Sequence, residues 1–280
     1  MAQIHPTAII DASAELAADV VVGAYCVVGP DVEIGARCVL HEHVTVVRST
    51  HMGTGNQLHA GCVVGGDPQD RKYAGEATSL RIGNDNHIRE HVTIHRGTGS
   101  AGGETSIGSN NLLMVGCHIA HDCIVGDGTV VANQVMLAGH VKIEDGASIG
   151  GGAGVHHFAT IGRLSFVGGL ARISRDVPPF MIIEGHPAEI RAVNAIGMLR
   201  SDFSQTDVDA MKEAFRLLFK HAAPVAEALP ELRNKYPDHV AIARLCDAVE
   251  ASAMGVHGRA REALRPDNKW ATKPPVAAKP

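Results

Sequence analysis

The chain of 280 residues contains 17 histidines, and several of them lie close together between positions 95 and 157. An unperturbed imidazole exchanges its proton near neutral pH, so histidine often acts as a general acid or base. Asp122 directly follows His121, and a carboxylate there can orient the ring and stabilise the imidazolium. A base with its own carboxylate suits transfer of an acyl group to a hydroxyl, although each histidine could also be a solvated surface residue. The histidines of this group are His95, His118, His121, His140, His156 and His157.

A six-residue period determines how these histidines are arranged. Aliphatic residues recur at every sixth position from Ile4 to Val64 and from Ile82 to Ile94, and one residue out of phase from Ile107 to Ile173. The period fits neither an α-helix nor a long alternating strand, but it fits the short strands of a triangular coil. Aromatic residues make up only 4% of the chain, which agrees with a narrow aliphatic interior. A β-sandwich with chance periodicity is the alternative.

A second, smaller interior position follows each aliphatic anchor by four residues. Five cysteines occupy this position, and no CxxC pair or zinc-finger spacing occurs. Because free cysteine behaves as a small buried hydrophobe, we expect core thiols rather than disulfides or metal ligands. The residue directly after the anchor is often glycine, which we attribute to a tight corner. The five cysteines are Cys26, Cys38, Cys62, Cys117 and Cys123.

Three hexapeptides make one coil of 18 residues, so positions 18 apart should stack on neighbouring rungs. His121, Gly139 and His157 form one such column. Neighbouring strands lie about 4.8 Å apart, which places Gly139 beside His121. His121 lies two residues after the anchor Ile119 and should point away from the filled interior. The backbone N–H of Gly139 can then donate a hydrogen bond to an oxyanion next to the base.

Two segments interrupt the period, and proline ends it. Residues 65–81 and 95–106 are polar and glycine-rich and lack anchors, so we expect them to form loops, which in solenoids often lie on the binding face. After Ile173 the sequence Asp-Val-Pro-Pro at 176–179 should stop the strand ladder, because proline removes a backbone donor.

A helical region should follow the coil. Ser204 and Asp207 resemble a capping box before an apolar stripe of helical spacing, and a second helix is expected at about 238–252. We therefore divide the chain into three parts. They are a β-helix domain at 1–190, a small α-helical domain at 191–255 and a disordered tail at 256–280.

Net charge and hydropathy exclude several classes of protein. The formal charge of −5 and the pI of about 6.4 give no reason to expect nucleic acid or an anionic membrane as partner. The chain has no N-terminal signal sequence and no run of about 18 apolar residues. We therefore expect a cytoplasmic protein without a transmembrane segment.

Several motifs are more specific than the hexapeptides. Residues 69–75 (QDRKYAG), 94–98 (IHRGT), 111–114 (NLLM) running on through 118–123 (HIAHDC), and 137–141 (LAGHV) with Val-Pro-Pro at 177–179 resemble the signature segments of UDP-N-acetylglucosamine O-acyltransferases. The resemblance extends over roughly residues 4–220. It implies a left-handed parallel β-helix that works as a homotrimer, with active sites between neighbouring coils and neither cofactor nor metal ion.

The resemblance also implies a reaction and roles for individual residues. A 3-hydroxyacyl chain would move from acyl carrier protein to the 3-hydroxyl of UDP-N-acetylglucosamine, the first step of lipid A synthesis. His121 would be the general base, Asp122 its partner and the Gly139 N–H the oxyanion donor. Gly169 matches the position that limits acyl length, although it could be an ordinary corner glycine. The residues expected to contact substrate are Asp70, Lys72, His95, His118, His140, His156, His157, Gly169, Asn194 and Arg200.

Some of these residues also have a simpler interpretation, and the sequence departs from the family pattern at three positions. Asp70 and Lys72 could form only a loop salt bridge, and Asn194 could simply cap a helix. The family usually has glutamine at His157, an acidic residue near Ile196 and a second arginine at 201, where this chain has serine. These departures leave open an acceptor sugar with an amine at position 3, which would give an amide.

Three other kinds of protein compete with this interpretation. A zinc enzyme of the carbonic-anhydrase type could use His118 and His121 with His140 or His156 as ligands. The N-acyltransferase acting later in lipid A synthesis usually carries an extra domain before its repeat, whereas here the repeat begins at Ile4. A scaffold without catalytic activity would leave the motifs unexplained.

Overall fold

The computed structural model describes residues 2–221 and 223–254. Within this part the chain winds into a coil in which every turn contributes one strand to each of three sheets, here named A, B and C. Strands one turn apart pair in parallel, as His118 does with Met136 and Ile119 with Leu137 in sheet B. The fold is the left-handed parallel β-helix that the six-residue period and the family resemblance predicted.

The strands are short because the chain turns a corner after each one. Sheet A is formed by Gln3–Ile4, Val21–Val22, Val39–Leu40, Gln57–Leu58, His87–Ile88, Leu112–Leu113, Val130–Val131, Ser148–Ile149, Phe166–Val167, Met181–Glu184 and the antiparallel Glu189–Val193. Sheet B is formed by Ile9–Ile10, Val27–Val28, Thr45–Val46, Val63–Gly66, Thr93–His95, His118–Ile119, Met136–Leu137, Gly154–Val155 and Arg172–Ile173. Sheet C is formed by Glu15–Leu16, Val32–Ile34, Thr50–Met52, Ser79–Ile82, Glu104–Ile107, Ile124–Val125, Lys142–Ile143 and Thr160–Ile161.

The aliphatic anchors fill the coil, as predicted, except at its N-terminal end. Leu58 and Leu113 are fully buried, whereas 45% of the Ile4 side chain is exposed because no rung lies before it. The five cysteines of the small interior position are fully buried and carry free thiols. Burial raises the pKa of Cys117 and Cys123 to about 12, so these thiols are chemically inert core residues.

The glycines after the anchors have a different cause from the one predicted. Most of them do not adopt the left-handed backbone conformation, with Gly65 (φ of 74°) as an exception; that conformation usually lies two residues later, as at Asn110, where φ is 59°. A Cβ atom on Gly108 would lie 2.7 Å from the carbonyl oxygen of Gly126 on the next rung. Glycine is therefore needed because adjacent rungs approach too closely for a side chain.

The two interruptions are shorter than expected, and the coil is longer. Strands cover Ser79–Ile82 and Glu104–Ile107, which leaves 67–78 and 96–103 as loops. The coil also continues past Ile173: Val177 bridges to Ile161, and Met181–Glu184 adds a rung to sheet A. The expectation that proline ends the ladder was wrong, because the two prolines lie in the connection between Val177 and the next strand.

Four helices follow: α1 (Ala195–Arg200), α2 (Gln205–Phe215), α3 (Val225–Lys235) and α4 (Val240–Met254), with a π-helical turn at Arg216–Lys220. The predicted capping box is present, since Ser204 and Asp207 bond each other's backbone amides. Helix α3 was missed because it contains Pro230, which argues against a helix interior. No described helix has the length and apolarity needed to cross a membrane. The predicted tail at 256–280 lies outside the described residues.

Candidate active site

The site lies at the corner that follows sheet B, where successive turns stack. Asp122, His140 and Phe158 occupy equivalent corner positions with φ of 60°, 63° and 64°. The His140 amide donates to the carbonyl of His121 at 3.0 Å, and the Phe158 amide donates to that of Gly139 at 3.2 Å. These bonds fix neighbouring corners in register, so side chains from different turns meet at one place.

His121 and Asp122 form the hydrogen-bonded pair expected from the sequence. Nδ1 of His121 lies 2.7 Å from Oδ2 of Asp122, and only 3% of the Asp122 side chain is exposed. Burial alone would raise the pKa of Asp122, but hydrogen bonds from His121 and Thr98 outweigh it and hold that pKa below its usual value. Asp122 is therefore an ionised acceptor that orients the imidazole.

Gly139 lies directly against the imidazole of His121. A Cβ atom at position 139 would be 2.5 Å from Cε1 and 2.7 Å from Nε2 of that ring. Among the described residues, none accepts a hydrogen bond from the Gly139 amide. A free backbone donor thus lies beside the ring nitrogen that does not contact Asp122.

A cleft with a volume of about 740 Å³ opens along this corner. Of the predicted site residues, His118, His121, Gly139 and His156 line it. Asp122 and His140 are buried behind the lining. The cleft is lined by Gln69, His118, Ala120, His121, Met136, Leu137, Ala138, Gly139, Gly154, Val155, His156, Arg172 and Ile173.

His95 and His118 form a second layer next to the base. Their rings meet edge to face at 4.8 Å, and Nδ1 of His118 lies 2.7 Å from the hydroxyl of Thr93. Burial and the neighbouring rings of His118 and His121 lower the pKa of His95 to about 4. Burial also lowers the pKa of His118. Both rings are therefore neutral polar groups at neutral pH.

The remaining histidines of the group pack around the same corner. His140 meets the His121 ring edge to face at 5.2 Å and stacks on Phe158 at 4.2 Å. Nδ1 of His140 is 3.7 Å from Oδ2 of Asp122. The rings of His156 and His157 lie 3.8 Å apart. These rings form a second group beside the pair of His95 and His118, linked from His121 through His140, Phe158 and His157 to His156.

The loop carrying Asp70 and Lys72 reaches the cleft through their neighbour Gln69. Oδ1 of Asp70 accepts a hydrogen bond from the Lys72 amide at 3.0 Å, which forms a local turn. The Lys72 side chain is exposed. Both residues stand at the edge of the cleft rather than in its lining.

Gly169, Asn194 and Arg200 do not line the cleft of a single chain. Asn194 caps α1, since its side chain accepts from the Gly197 amide at 3.0 Å and donates to the Leu164 carbonyl at 2.8 Å. Gly169 and Arg200 are exposed. The helix-capping interpretation of Asn194 is therefore correct for this chain taken alone, and it does not exclude a substrate contact.

The structure adds residues that the sequence analysis did not assign to the site. Met136, Gly154 and Arg172 line the cleft, and they follow His118 at intervals of 18 residues. Extending the same count used for His121 would have found them. Gln69 gave no such signal, because it lies in the first interruption of the period.

One group of residues has the composition of a metal site. His121, Asp122 and His140 each offer a donor atom, and within the described ranges these atoms lie within 4.8 Å of one another. Two ligands of a tetrahedral zinc ion lie roughly 3.4 Å apart, whereas Nδ1 of His121 and Oδ2 of Asp122 are separated by a hydrogen-bond distance of 2.7 Å. The geometry therefore fits a hydrogen-bonded base better than a zinc centre.

Comparisons with known proteins agree with this geometry. Residues 176–257 match the family model described as UDP-N-acetylglucosamine O-acyltransferase, domain 2, and 13–48 and 104–139 match the bacterial transferase hexapeptide. The acyl-[acyl-carrier-protein]–UDP-N-acetylglucosamine O-acyltransferase of Synechocystis is 51% identical over 189 residues, 68% of either chain. That of Syntrophobacter fumaroxidans is 44% identical over 91% of this chain and 99% of its own.

A solved structure extends the agreement to three dimensions. LpxA from Acinetobacter baumannii is similar with a TM-score of 0.86 and 44% sequence identity, over 89% of this chain and 97% of that chain. The chain belongs to the UDP-N-acetylglucosamine O-acyltransferase family.

Proposed function

We propose that this protein transfers a 3-hydroxyacyl chain from acyl carrier protein to the 3-hydroxyl of UDP-N-acetylglucosamine, the first step of lipid A biosynthesis. One observation carries the proposal. In a chain of this family, the imidazole of His121 is held by a buried carboxylate and faces a cleft beside the unbonded amide of Gly139. A base and an oxyanion donor at one point are what acyl transfer to a hydroxyl needs.

The hydrogen bonding of the His121 ring determines which of its nitrogens can accept the substrate proton. Asp122 is ionised and accepts from Nδ1 of His121, so Nε2 carries the lone pair. Nε2 takes the proton of the sugar hydroxyl as its oxygen attacks the thioester carbonyl carbon. Asp122 stabilises the imidazolium that results.

The negative charge of the tetrahedral intermediate then falls on the former carbonyl oxygen. The Gly139 amide is a fixed donor in the same cleft, and a donor that needs no reorganisation stabilises such an oxyanion efficiently. When the intermediate collapses, the carbon–sulfur bond breaks and the imidazolium returns its proton to the departing thiolate. The products are the 3-O-acyl sugar nucleotide and the free thiol of the carrier protein.

The histidine layer behind the base supports the same chemistry. His95 and His118 have lowered pKa values and remain neutral, so they can exchange hydrogen bonds with a sugar nucleotide without competing as bases. Arg172 is exposed at the cleft and can meet a phosphate or phosphopantetheine group. Asp70, Lys72, Asn194 and Arg200 complete the proposed substrate contacts.

The proposal includes the assembly and the location. A single chain leaves one side of the cleft open, and Gly169, Asn194 and Arg200 lie outside its lining. A homotrimer in which a neighbouring coil covers the cleft would bring such residues to the substrate and exclude water. Acyl carrier protein and a nucleotide sugar are both cytoplasmic substrates, so we place the protein in the cytoplasm.

Turnover by purified protein tests the proposal. The assay offers 3-hydroxyacyl carrier proteins of different chain lengths with UDP-N-acetylglucosamine and, in parallel, with its 3-amino analogue. We expect transfer to the hydroxyl. A strong preference for the amine would show that the natural acceptor is the 3-amino sugar nucleotide. His121→Ala should lower kcat by about 100- to 10,000-fold. Near-normal turnover in this variant would remove His121 from the mechanism.

A further inference from the structure

Thr98 makes two hydrogen bonds to the carboxylate of Asp122. Its amide donates to Oδ1 at 2.7 Å, and its hydroxyl donates to Oδ2 at 2.8 Å. Thr98 is 2% exposed and Asp122 is 7% exposed, so water does not compete for these bonds. The first residues of the second interruption therefore contact the carboxylate that orients His121.

The hydroxyl of Thr98 does not cap the short helix that follows it. Thr98 precedes a short 3₁₀ helix at Gly99–Ala101, but its side chain makes no capping bond to that helix. Threonine at such a position normally accepts a hydrogen bond from an amide of the first turn. Here the hydroxyl donates to Asp122 and contacts the Ser100 hydroxyl at 3.2 Å. The 3₁₀ helix therefore has no side-chain cap, and the Thr98 hydroxyl is a hydrogen-bond donor to the Asp122 carboxylate instead.

The backbone around Thr98 is held by hydrogen bonds to the Thr98 carbonyl and by close packing at Gly97. The Thr98 carbonyl accepts from the amides of Ala101 at 3.1 Å and Gly103 at 3.0 Å. A Cβ atom on Gly97 would lie 2.3 Å from the amide nitrogen of Glu104, so the segment runs closely against the next strand. These contacts place the amide and the hydroxyl of Thr98 at the Asp122 carboxylate.

The three donors determine the orientation of the carboxylate. Oδ1 of Asp122 accepts from the Thr98 amide, while Oδ2 accepts from both the Thr98 hydroxyl and Nδ1 of His121. Rotation of the carboxylate would break at least one bond to Thr98. A carboxylate that cannot rotate keeps the imidazole in one tautomer and one orientation.

We propose that Thr98 is a positioning residue for acyl transfer, which fixes the Asp122 carboxylate so that it presents Oδ2 to His121 and leaves Nε2 facing the cleft. The inference rests on the proposed function of His121 as general base. It gives the loop at 96–103 a part in the chemistry in addition to substrate binding. Thr98 acts through Asp122 and does not itself touch the reacting atoms.

Thr98→Val removes the hydroxyl, and Thr98→Ser retains it. We expect the valine variant to lose about 10- to 100-fold in kcat, part of the 100- to 10,000-fold that a general base supplies, with KM within about twofold. The acid limb of its kcat/KM profile should move to higher pH, because a carboxylate with one donor fewer holds the imidazolium more tightly. The serine variant should restore both kcat and the profile.

Thr129→Val is the matched control. Thr129 is fully buried, and its hydroxyl donates to a side-chain oxygen, Oδ1 of Asn111, at 2.7 Å, but neither residue lines the cleft. We expect a similar loss of thermal stability with normal kcat. If Thr98→Val also keeps normal kcat, or if serine fails to rescue it, the inference is wrong.

A second readout does not depend on turnover. Diethyl pyrocarbonate modifies unprotonated imidazole, and peptide mapping reports the reaction at His121 alone. In Thr98→Val the pH at which His121 reaches half-maximal reactivity should rise, whereas in Thr129→Val it should match the value of the wild-type protein. An unchanged value in Thr98→Val would overturn the positioning role. Absence of acyl transfer by the wild-type protein would overturn the proposed function, but the reactivity of His121 could still be compared between the variants.

Discussion

One close contact in the site lies between the His121 side chain and the backbone of Gly139. The imidazole of His121 occupies the space that a Cβ atom at position 139 would need. This approach brings the unbonded amide of Gly139 close to the ring, so the absence of a side chain at 139 suits the oxyanion donor that we propose. At the residue scale, the proposed mechanism requires glycine at 139 as much as it requires histidine at 121.

Gly139→Ala should therefore abolish most activity without unfolding the coil. The new methyl group would meet the far end of the His121 side chain, at 2.5 Å from Cε1, and the ring can rotate away from it. We expect kcat to fall by at least about 100-fold with a small change in Tm. Gly154→Ala also adds a methyl group to the cleft lining, but that group meets no atom within 4 Å and does not touch the His121 ring, so it should lower kcat far less. Comparable losses in both variants would contradict the steric argument.

The neutral state of His95 has a consequence for stability. Burial and the rings of His118 and His121 lower its pKa from 6.5 to about 4. Between these values the unfolded chain binds a proton that the folded chain does not, so stability falls as pH decreases from about 6.5 to about 4 and the effect saturates below that range. The full loss is on the order of 3 kcal/mol.

Urea unfolding of the protein and of His95→Gln across pH 4 to 7.5, at one protein concentration, measures this contribution. The wild-type protein should have the larger free energy of unfolding at pH 7.5. Its advantage over His95→Gln should decrease as the pH is lowered toward 4. A difference that stays constant over the range would show that His95 protonates equally well in both states.

At the scale of elements, the two loops that interrupt the coil are joined by one buried arginine. Arg96 is 2% exposed, and its guanidinium donates to the carbonyl of Gly65, to the carboxylate of Asp67 and, at 3.1 Å, to the hydroxyl of Tyr73. A buried charge is costly unless it is paired. Arg96 therefore ties the loop at 67–78 to the segment that carries His95 and Thr98.

Arg96→Met should release the loop at 67–78. We expect rapid tryptic cleavage after Arg71 or Lys72, and a raised KM for the sugar nucleotide if this loop contributes Asp70 and Lys72 to binding. Arg81→Met is the matched control, because the Arg81 side chain is 61% exposed and pairs with Glu104 at 3.2 Å, a surface bond worth about 0–1 kcal/mol. Equal protease resistance of both variants would contradict the role of Arg96.

The elements also show where sequence reasoning succeeds. Counting by 18 placed Gly139 beside His121, because rungs in an uninterrupted coil repeat without exception. The same count cannot cross an insertion, so the bond from Thr98 to Asp122, between residues 24 apart, was not predicted. The rung at Val177 was missed for a local reason: proline excludes a strand only where it lies within the ladder, and here it lies beside it.

At the scale of the whole molecule, the three outer faces of the coil differ in composition. Sheet C presents charged residues such as Glu15, Glu33 and Arg81, which are exposed. Sheet B instead presents exposed apolar side chains at several of its outward positions, on the same face as the cleft. Exposed apolar patches of this kind mark interaction surfaces. The outward apolar residues of sheet B include Ile9 (67% exposed), Val27 (37%), Val63 (37%) and Met136 (57%).

If the proposed homotrimer buries the sheet B face and leaves sheet C in solvent, the two faces should respond differently to the same change. Val63→Glu places a charge in the buried interface and should shift the mass measured by sedimentation equilibrium from three times 29.4 kDa toward a single chain, with loss of turnover. Ile124→Glu makes an equivalent substitution on sheet C, where the isoleucine is 46% exposed, and should keep the trimer and its activity.

Because Val63 does not line the cleft, loss of activity in step with loss of the trimer would mean that the neighbouring coil completes the site. A Val63→Glu protein that remains trimeric, or a single chain with full activity, would show that sheet B is not the assembly surface or that one coil suffices for catalysis.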